Sequence, residues 1–204
     1  MPRVKIKKRK QILDMTAMVD VAFLLLTFLI LTAKPKDIDL LPVELPLSTE
    51  QPTLADDAIV ITIGEEKTTL SIREKSVRKL TLEKMAKRYG ISFTDAEKNE
   101  FINTDTYGLP LNQLSGYLSL PAVQQEKYPV VGIPLDSIGN KPSEFYHWIF
   151  EARTSAKELH NKDLPVAIKG DGNEKYPYVK NIIDILQSQK INRFSLITNL
   201  ETEI

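Results

Sequence analysis

The chain of 204 residues contains no cysteine, which removes disulfides and thiolate metal sites together. It has only two histidines, His147 and His160, and their spacing of 13 positions matches no familiar ligand pattern. Glycine is sparse, with eight in all. The one stretch that suggests a phosphate or calcium loop is Lys169-Gly170-Asp171-Gly172-Asn173. It has neither Gly-x-Gly-x-x-Gly nor Gly-Lys-Ser/Thr, and one Asp plus one Asn fall well short of a calcium loop, so it reads as a turn. No Ser/His/Asp arrangement is legible either. His147 and Trp148 sit among Phe145 and Tyr146 on one helical stretch, as a satisfied histidine beside a core aromatic would. Nothing in this inventory points to an enzyme.

The chain also lacks net charge, but the balance is uneven. Arg3, Lys5, Lys7, Lys8, Arg9 and Lys10 precede the longest apolar run, Met15 to Ala33. Beyond that run the chain carries 21 basic and 25 acidic residues. Nineteen positions span roughly 28 Å as a helix, close to the ~30 Å core of a bilayer. Basic residues this near a membrane segment favour the cytoplasmic side, so the expected orientation has the N-terminus inside and the remainder outside. A nucleic-acid role for the basic cluster is disfavoured, since it has no interleaved aromatics and abuts a membrane span. The run is too long for a signal peptide's apolar region, and Thr32-Ala33-Lys34-Pro35 is a poor cleavage site. An uncleaved signal anchor is the expectation. The length then accommodates one ordinary domain beyond it.

One residue breaks the apolar run. Asp20 lies five positions past Met15, roughly 7–8 Å into the helix, where a carboxylate costs on the order of 2.5–3.5 kcal/mol on insertion scales. One alternative is partial hydration near the membrane surface. The other is a functional carboxylate: Thr16 lies one turn before it and Leu24, Thr27 and Leu31 lie one, two and three turns after, a stripe suited to packing against protein rather than lipid. A carboxylate held away from water can trade its charge for a proton. Thirteen further residues, about 20 Å of helix, separate it from the far surface, and a lone helix offers no water path across them. A proton reaching Asp20 therefore requires a partner that lines a channel.

Residues 34–57 form a linker with Pro35, Pro42, Pro46 and Pro52, which bias the chain toward extended conformations. Ile38, Leu41, Val43 and Leu45 alternate roughly with polar residues or proline, so the segment could add to a sheet edge, here or on a partner. From Ala58 onward, Ile59–Ile63 and Thr68–Ile72 around Gly64-Glu65-Glu66-Lys67 predict a hairpin. Thr81–Tyr89 predicts a helix stopped by Gly90, and Thr94-Asp95-Ala96-Glu97 a capping box opening a short helix through Ile102. Residues 103–128 are the least legible; Leu111, Leu114 and Leu118 suggest one short helix. Val130–Ile133 is a candidate strand. Ser143–His160 has a helical apolar period, with Pro142 suited to its start. Leu164–Gly170, Tyr178–Gln189 and Phe194–Thr198 form a strand, a crossover helix and a strand, a βαβ unit. The expected fold class is α+β: a single N-terminal transmembrane helix followed by an α/β sandwich domain ending in that unit.

Asp14-Met15-Thr16-Ala17-Met18-Val19-Asp20-Val21 and the leucine-rich run after it resemble the membrane segment of the ExbD/TolR biopolymer-transport family. Ala17 stands where that pattern has proline. Val43-Glu44-Leu45-Pro46 resembles the family's Leu-Pro element, and Pro165–Asp171 through Tyr178 to Thr198 resembles its closing strand–helix–strand. The resemblance implies a basic cytoplasmic tail (1–12), a transmembrane helix (13–33), the Pro-rich linker and a periplasmic domain (58–204), with an insertion at about 91–160. It makes Asp20 the proton-carrying residue, with Thr16, Leu24, Thr27 and Leu31 on its supporting face and Val43, Glu44, Leu45 and Pro46 as a partner-contact linker. It implies an inner-membrane homodimer inside an ExbB-like pentameric ring, a TonB-like energy transducer as the driven partner, no nucleic acid, and no cofactor beyond H⁺ as the coupling ion. A TolR-like role in envelope integrity, and a passively anchored periplasmic binding module, are the alternative readings.

Overall fold

The computed structural model describes residues 15–33, 40, 41, 43–48, 57–125, 127–137, 142–172 and 174–200. The basic cluster, Lys34–Asp39, Pro42 and residues 49–56 lie outside them. The chain divides into two units, one containing the apolar helix and one beginning at residue 38.

The first unit contributes α1, Met15–Thr32. The second opens with a two-residue strand β1 (Leu47–Ser48) and then the hairpin of β2 (Ile59–Gly64) and β3 (Lys67–Ile72). The β-branched run of β2 favours a pleated, half-buried surface. Glu65 and Glu66 both take positive φ, 53° and 57°, as a tight two-residue hairpin turn requires. Glutamate is a poor residue for that conformation. Here the turn is tied down: Lys67 Nζ meets Glu65 at 2.9 Å, the Glu66 N–H donates to the Glu174 carboxylate, and Lys175 pairs with Glu66.

Next come α2 (Lys75–Tyr89), α3 (Asp95–Asn103), β4 (Thr106–Tyr107), α4 (Leu111–Leu118), α5 (Ala122–Gln125) and α6 (Glu144–His160). The chain closes with β5 (Val166–Gly170), α7 (Tyr176–Ser188), β6 (Phe194–Ile197) and β7 (Asn199–Leu200). Five strands make one mixed sheet in the order β4-β3-β2-β5-β6; β2, β5 and β6 run parallel, while β3 is antiparallel to both its neighbours. The register sets Ile59, Ile61 and Ile63 beside Ile72, Leu70, Val166 and Ile168 on one face. That face forms the core with Val77, Leu82 and Met85 of α2, Trp148 and Ile149 of α6, and Ile182 and Leu186 of α7. Val60, Thr62, Ser71 and Lys169 alternate onto the other face. The expected βαβ unit is present, and Tyr178 Oη lies 2.9 Å from Thr68 Oγ1, joining α7 to β3. The turn read at Asp171-Gly172 is present, with the Glu174 N–H donating to the Asp171 carbonyl; Asn173 lies outside the described residues.

Three expectations need correction. First, α2 starts at Lys75, six residues before Thr81. Its first turn is polar in sequence, but Arg78 is fully buried. The Arg78 guanidinium donates to the carbonyls of Ile72 (2.6 and 2.8 Å), Ile102 (2.5 Å) and Arg73 (3.2 Å) and pairs with Asp105 at 2.8 Å. A residue that looks like surface charge thus ties the ends of β3 and α3 to α2. Second, Val130–Ile133 is not a strand. Gly132 takes φ 91°, and a Cβ there would meet the Thr68 backbone nitrogen at 3.0 Å, so the chain bends where a ladder would need extended residues. Among the described residues, the Gly132 and Ile133 N–H groups bond across, to the carbonyls of Gly108 and Thr68. Third, His147 is not a satisfied core histidine. Its ring lies edge-on to Tyr89 and Tyr146, Nδ1 is buried and meets no hydrogen-bond partner among the described residues, and burial holds its pKa below the ordinary imidazole value.

The capping box at Thr94 is present and extends further than its sequence shows. The Glu97 carboxylate accepts from the Thr94 N–H (2.6 Å) and Oγ1 (2.8 Å), and also from Ser115 Oγ (2.5 Å) and Ser119 Oγ (3.2 Å) on and just beyond α4. The Ser115 hydroxyl first, then the Thr94 N–H, hold its pKa down to about 2 against the opposing effect of burial. Helices α2 and α6 pack antiparallel, bridged by Arg88–Glu151, Lys84–Glu158 and His160–Glu74. Trp148 is fully buried, and its Nε1 donates to Glu144.

Two outcomes follow for the domain. Replacing Arg78 by Ala leaves the Ile72 and Ile102 carbonyls without their donor, and urea denaturation should show a loss of about 3–5 kcal/mol, as expected for an uncompensated buried polar cluster. For Glu97 the folded pKa lies below that of an unfolded glutamate, about 4.3. Its contribution is therefore complete above that value and is lost as pH falls toward about 2. Stability measured from pH 6 to pH 2.5 should decline less steeply in Glu97→Gln than in the parent, and the variant should start about 1.5–3 kcal/mol lower.

Candidate functional site

An 18-residue helix is about 27 Å long, and α1 is long and apolar enough to cross a membrane. Its residues are exposed around the whole circumference, with Thr27 alone half-exposed and none buried. Such a surface must be covered by lipid or by another protein.

Two of its polar residues need no outside partner. Thr27 Oγ1 donates to the Phe23 and Leu24 carbonyls at 3.0 and 2.9 Å, and Thr32 Oγ1 to the Phe28 carbonyl at 2.8 Å. A hydroxyl bonded back to its own helix can enter an apolar medium cheaply. Asp20 has no such arrangement: among the described residues, no cation and no donor meets its carboxylate. It is the one charged side chain in α1, and it must find its stabilisation outside the helix.

At 100° per residue, Thr16, Leu24, Thr27 and Leu31 all lie within about 40° of Asp20 around the axis. The stripe read from the sequence therefore exists as one face of α1. A shallow open groove beside the carboxylate is lined by Met15, Thr16, Val19, Asp20 and Phe23. Val19 and Phe23 were not among the sequence candidates, although their positions one before and three after Asp20 were the available signal.

The linker candidates lie in the second unit. Val43 and Leu45 are half-buried, whereas Glu44 and Pro46 are exposed. The Gly172 N–H donates to the Glu44 carbonyl at 2.9 Å. A Cβ on Gly64 would lie 2.7 Å from Val43 Cγ1. β1 pairs in parallel with β7, Leu47 opposite Asn199 and Ser48 opposite Leu200. The linker does add as a strand within its own chain, but to β7 and not to an edge of the five-stranded sheet.

A single exposed carboxylate on an apolar face, with the Thr27 and Thr32 hydroxyls committed to the backbone, can accept and release a proton when a second protein covers it. Comparison with known proteins gives one match. The family described as Biopolymer transport protein ExbD/TolR matches residues 7–133, which contain α1, the linker and the domain as far as the Gly132 bend. The β5–α7–β6 unit lies beyond the matched stretch. No curated protein and no solved structure matches the chain. The match spans well over half of the sequence, includes Asp20 and its whole helix, and agrees with the α+β architecture: the chain belongs to the ExbD/TolR family.

Proposed function

We propose that the protein is a stator subunit of an ExbB–ExbD-type motor in the bacterial inner membrane, driven by the proton-motive force, with Asp20 as the proton carrier. The single observation that supports this most is the carboxylate itself, the one charge in an 18-residue apolar helix and unpaired among the described residues. The family is a transport family rather than an enzyme family, and its members work with ExbB-like and TonB-like partners. In this reading α1 is a single crossing with its basic end in the cytoplasm, and two copies stand inside an ExbB-like ring that supplies polar groups near Asp20. The Thr16–Leu31 stripe packs against that ring, and Val43–Pro46 contacts a partner on the periplasmic side.

Each proton crossing the full potential releases about 2.3 kcal/mol per 100 mV. That energy becomes movement only if the charged and protonated forms of Asp20 prefer different surroundings. A charged carboxylate favours the face of the ring that offers donors, and a protonated one tolerates an apolar face. Alternation between the two turns proton flow into displacement of α1 relative to its partner.

Asp20→Asn keeps the size and loses ionisation, so transport should fall at least about a hundredfold while expression and co-purification with the ring stay unchanged. Normal transport in that variant would rule out the carrier role. Replacing all of α1 by an unrelated apolar helix separates the passive-anchor alternative, which requires function to survive the exchange. Loss of TonB-dependent uptake against loss of envelope integrity in Asp20→Asn separates the ExbD-like from the TolR-like assignment.

A further inference from the structure

Helix α6 turns one side to the core through Phe145, Trp148, Ile149 and Ala152, and a helix of that kind ordinarily carries polar residues on the other side. Here the other side holds an aromatic pair. The rings of Tyr146 and Phe150 stack with planes 9° from parallel and centroids 6.3 Å apart, and Phe150 is 42% exposed. Arg88 of α2 places its guanidinium 6.0 Å from the centre of the Phe150 ring, at the limit of a cation–π contact. Phe150 also lines an open groove of about 420 Å³ together with Arg153, Thr154, Lys157, Glu158 and Asp163.

The carboxylates at this face are already engaged. Glu151 meets Arg88 at 2.5 Å, Glu158 meets Lys84 at 2.7 Å and Asp163 meets Arg153 at 3.6 Å. Lys157 is exposed and meets no carboxylate among the described residues, and the same holds for Lys87 and Lys162, which precede Arg88 and Asp163 in the chain. Arg153 is held loosely, at 3.6 Å from Asp163 and 3.5 Å from the Gln189 carbonyl, so its guanidinium keeps donors for a second carboxylate. The surplus at this face is positive, although the chain beyond the apolar run carries more acidic than basic residues. Arg153 and Lys157 lie about one turn apart, roughly 6 Å along the axis. Two carboxylates at i and i+4 of a helix, or at i and i+2 of an extended chain, reproduce that spacing.

We propose that the Tyr146–Phe150 face of α6 docks an acidic polypeptide segment of a partner protein, which lays an aromatic or large aliphatic side chain against Phe150 and sets carboxylates on Lys157 and Arg153. Exposed rings and arginines are the side chains that carry most binding energy at protein interfaces, and the unpaired cations around them select the sign of the partner. The groove beside Phe150 accepts a protruding side chain, which a flat lipid surface does not supply. The inference stands apart from the role of Asp20: α6 begins at Glu144, beyond the residues matched by the family, and no readout below involves proton transfer.

The test uses the full-length protein in a neutral detergent, with a labelled glutamate-rich copolymer of glutamate and tyrosine as the probe and polyglutamate as its comparison. Fluorescence anisotropy should show the copolymer bound at least about fivefold more tightly than polyglutamate, with that preference lost in Phe150→Ala. Lys157→Glu should weaken copolymer binding about tenfold, whereas Lys157→Arg, which keeps the charge, should leave it within about twofold. Lys180→Glu on the exposed side of α7 makes the same change in net charge and should also leave binding within about twofold. Equal weakening by Lys180→Glu would reduce the effect to net charge, and unchanged affinity in Phe150→Ala would remove the anchor; either result overturns the proposal. The competing occupant is an anionic membrane. Acetylation of Lys157, read by mass spectrometry in nanodiscs, should proceed equally in phosphatidylcholine and in phosphatidylglycerol, and protection by phosphatidylglycerol would assign the face to lipid and overturn the proposal.

Discussion

A carboxylate in an apolar helix must be stabilised by something outside that helix, and the remaining features of the α1 unit acquire their meaning from this requirement. Thr27 and Thr32 direct their hydroxyls at carbonyls one turn back, which lets them be polar in composition and nearly apolar in effect. Asp20 cannot do the same, because an ionised carboxylate accepts and never donates, and the helix interior has already used its N–H groups. Its cost of a few kcal/mol persists unless a donor, a proton or water relieves it. A passive anchor would gain from replacing it with any apolar residue. The carboxylate therefore fits the proposed helix whose partner changes the surroundings of that one group.

The domain handles its buried charges in the opposite way. Arg78 is enclosed by three carbonyls and Asp105, and Glu97 by two hydroxyls of α4 and its border and two donors of Thr94. Each charge is satisfied within the chain, so each holds elements together: Arg78 joins α2, β3 and α3, and Glu97 joins α3 to α4. A satisfied buried charge gives positional definition, because removing one partner leaves the others desolvated. An unsatisfied one gives a site.

Much of this architecture was legible because it is encoded locally. The β2–β3 hairpin, the Thr94 capping box, α6 and the β5–α7–β6 unit follow from alternation, caps and turn residues within short windows. The carboxylate in α1 was legible for the same reason, since a single charge within a long apolar run needs no tertiary context to be noticed. The parts that were misread depend on distant contacts. The start of α2 is set by Arg78 reaching carbonyls of β3 and α3; the two residues of β4 pair with β3 but are too short for any periodicity. Gly132 sits against the β3 backbone, which demands a conformation that Val130–Ile133 otherwise conceals. The orphaned Nδ1 of His147 is likewise set by packing against α2. Val19 and Phe23 were passed over for a different reason: on a helix with apolar residues on every side, periodicity does not distinguish the residues flanking the carboxylate from the rest.

In the proposed motor, converting a displacement of α1 into work on a partner depends on the chain between the two units. Four prolines between residues 35 and 52 restrict backbone dihedrals and favour extension, so a displacement is transmitted with less entropic slack than a Gly/Ser tether would allow. Where the tether is gripped matters as much as how stiff it is. A grip at Leu41 or Val43 delivers movement to a short stretch that is bonded to the domain through the Glu44 carbonyl and the Gly172 N–H. A grip at Ala58 delivers it to β2 in the middle of the sheet, where Ile59, Ile61 and Ile63 are fully buried. The first would displace a surface segment held by few contacts, and the second would pull on the centre of the core, whose disruption requires global unfolding. A motor that leaves its own domain intact therefore works best when the force reaches Leu41 and Val43 before it reaches β2.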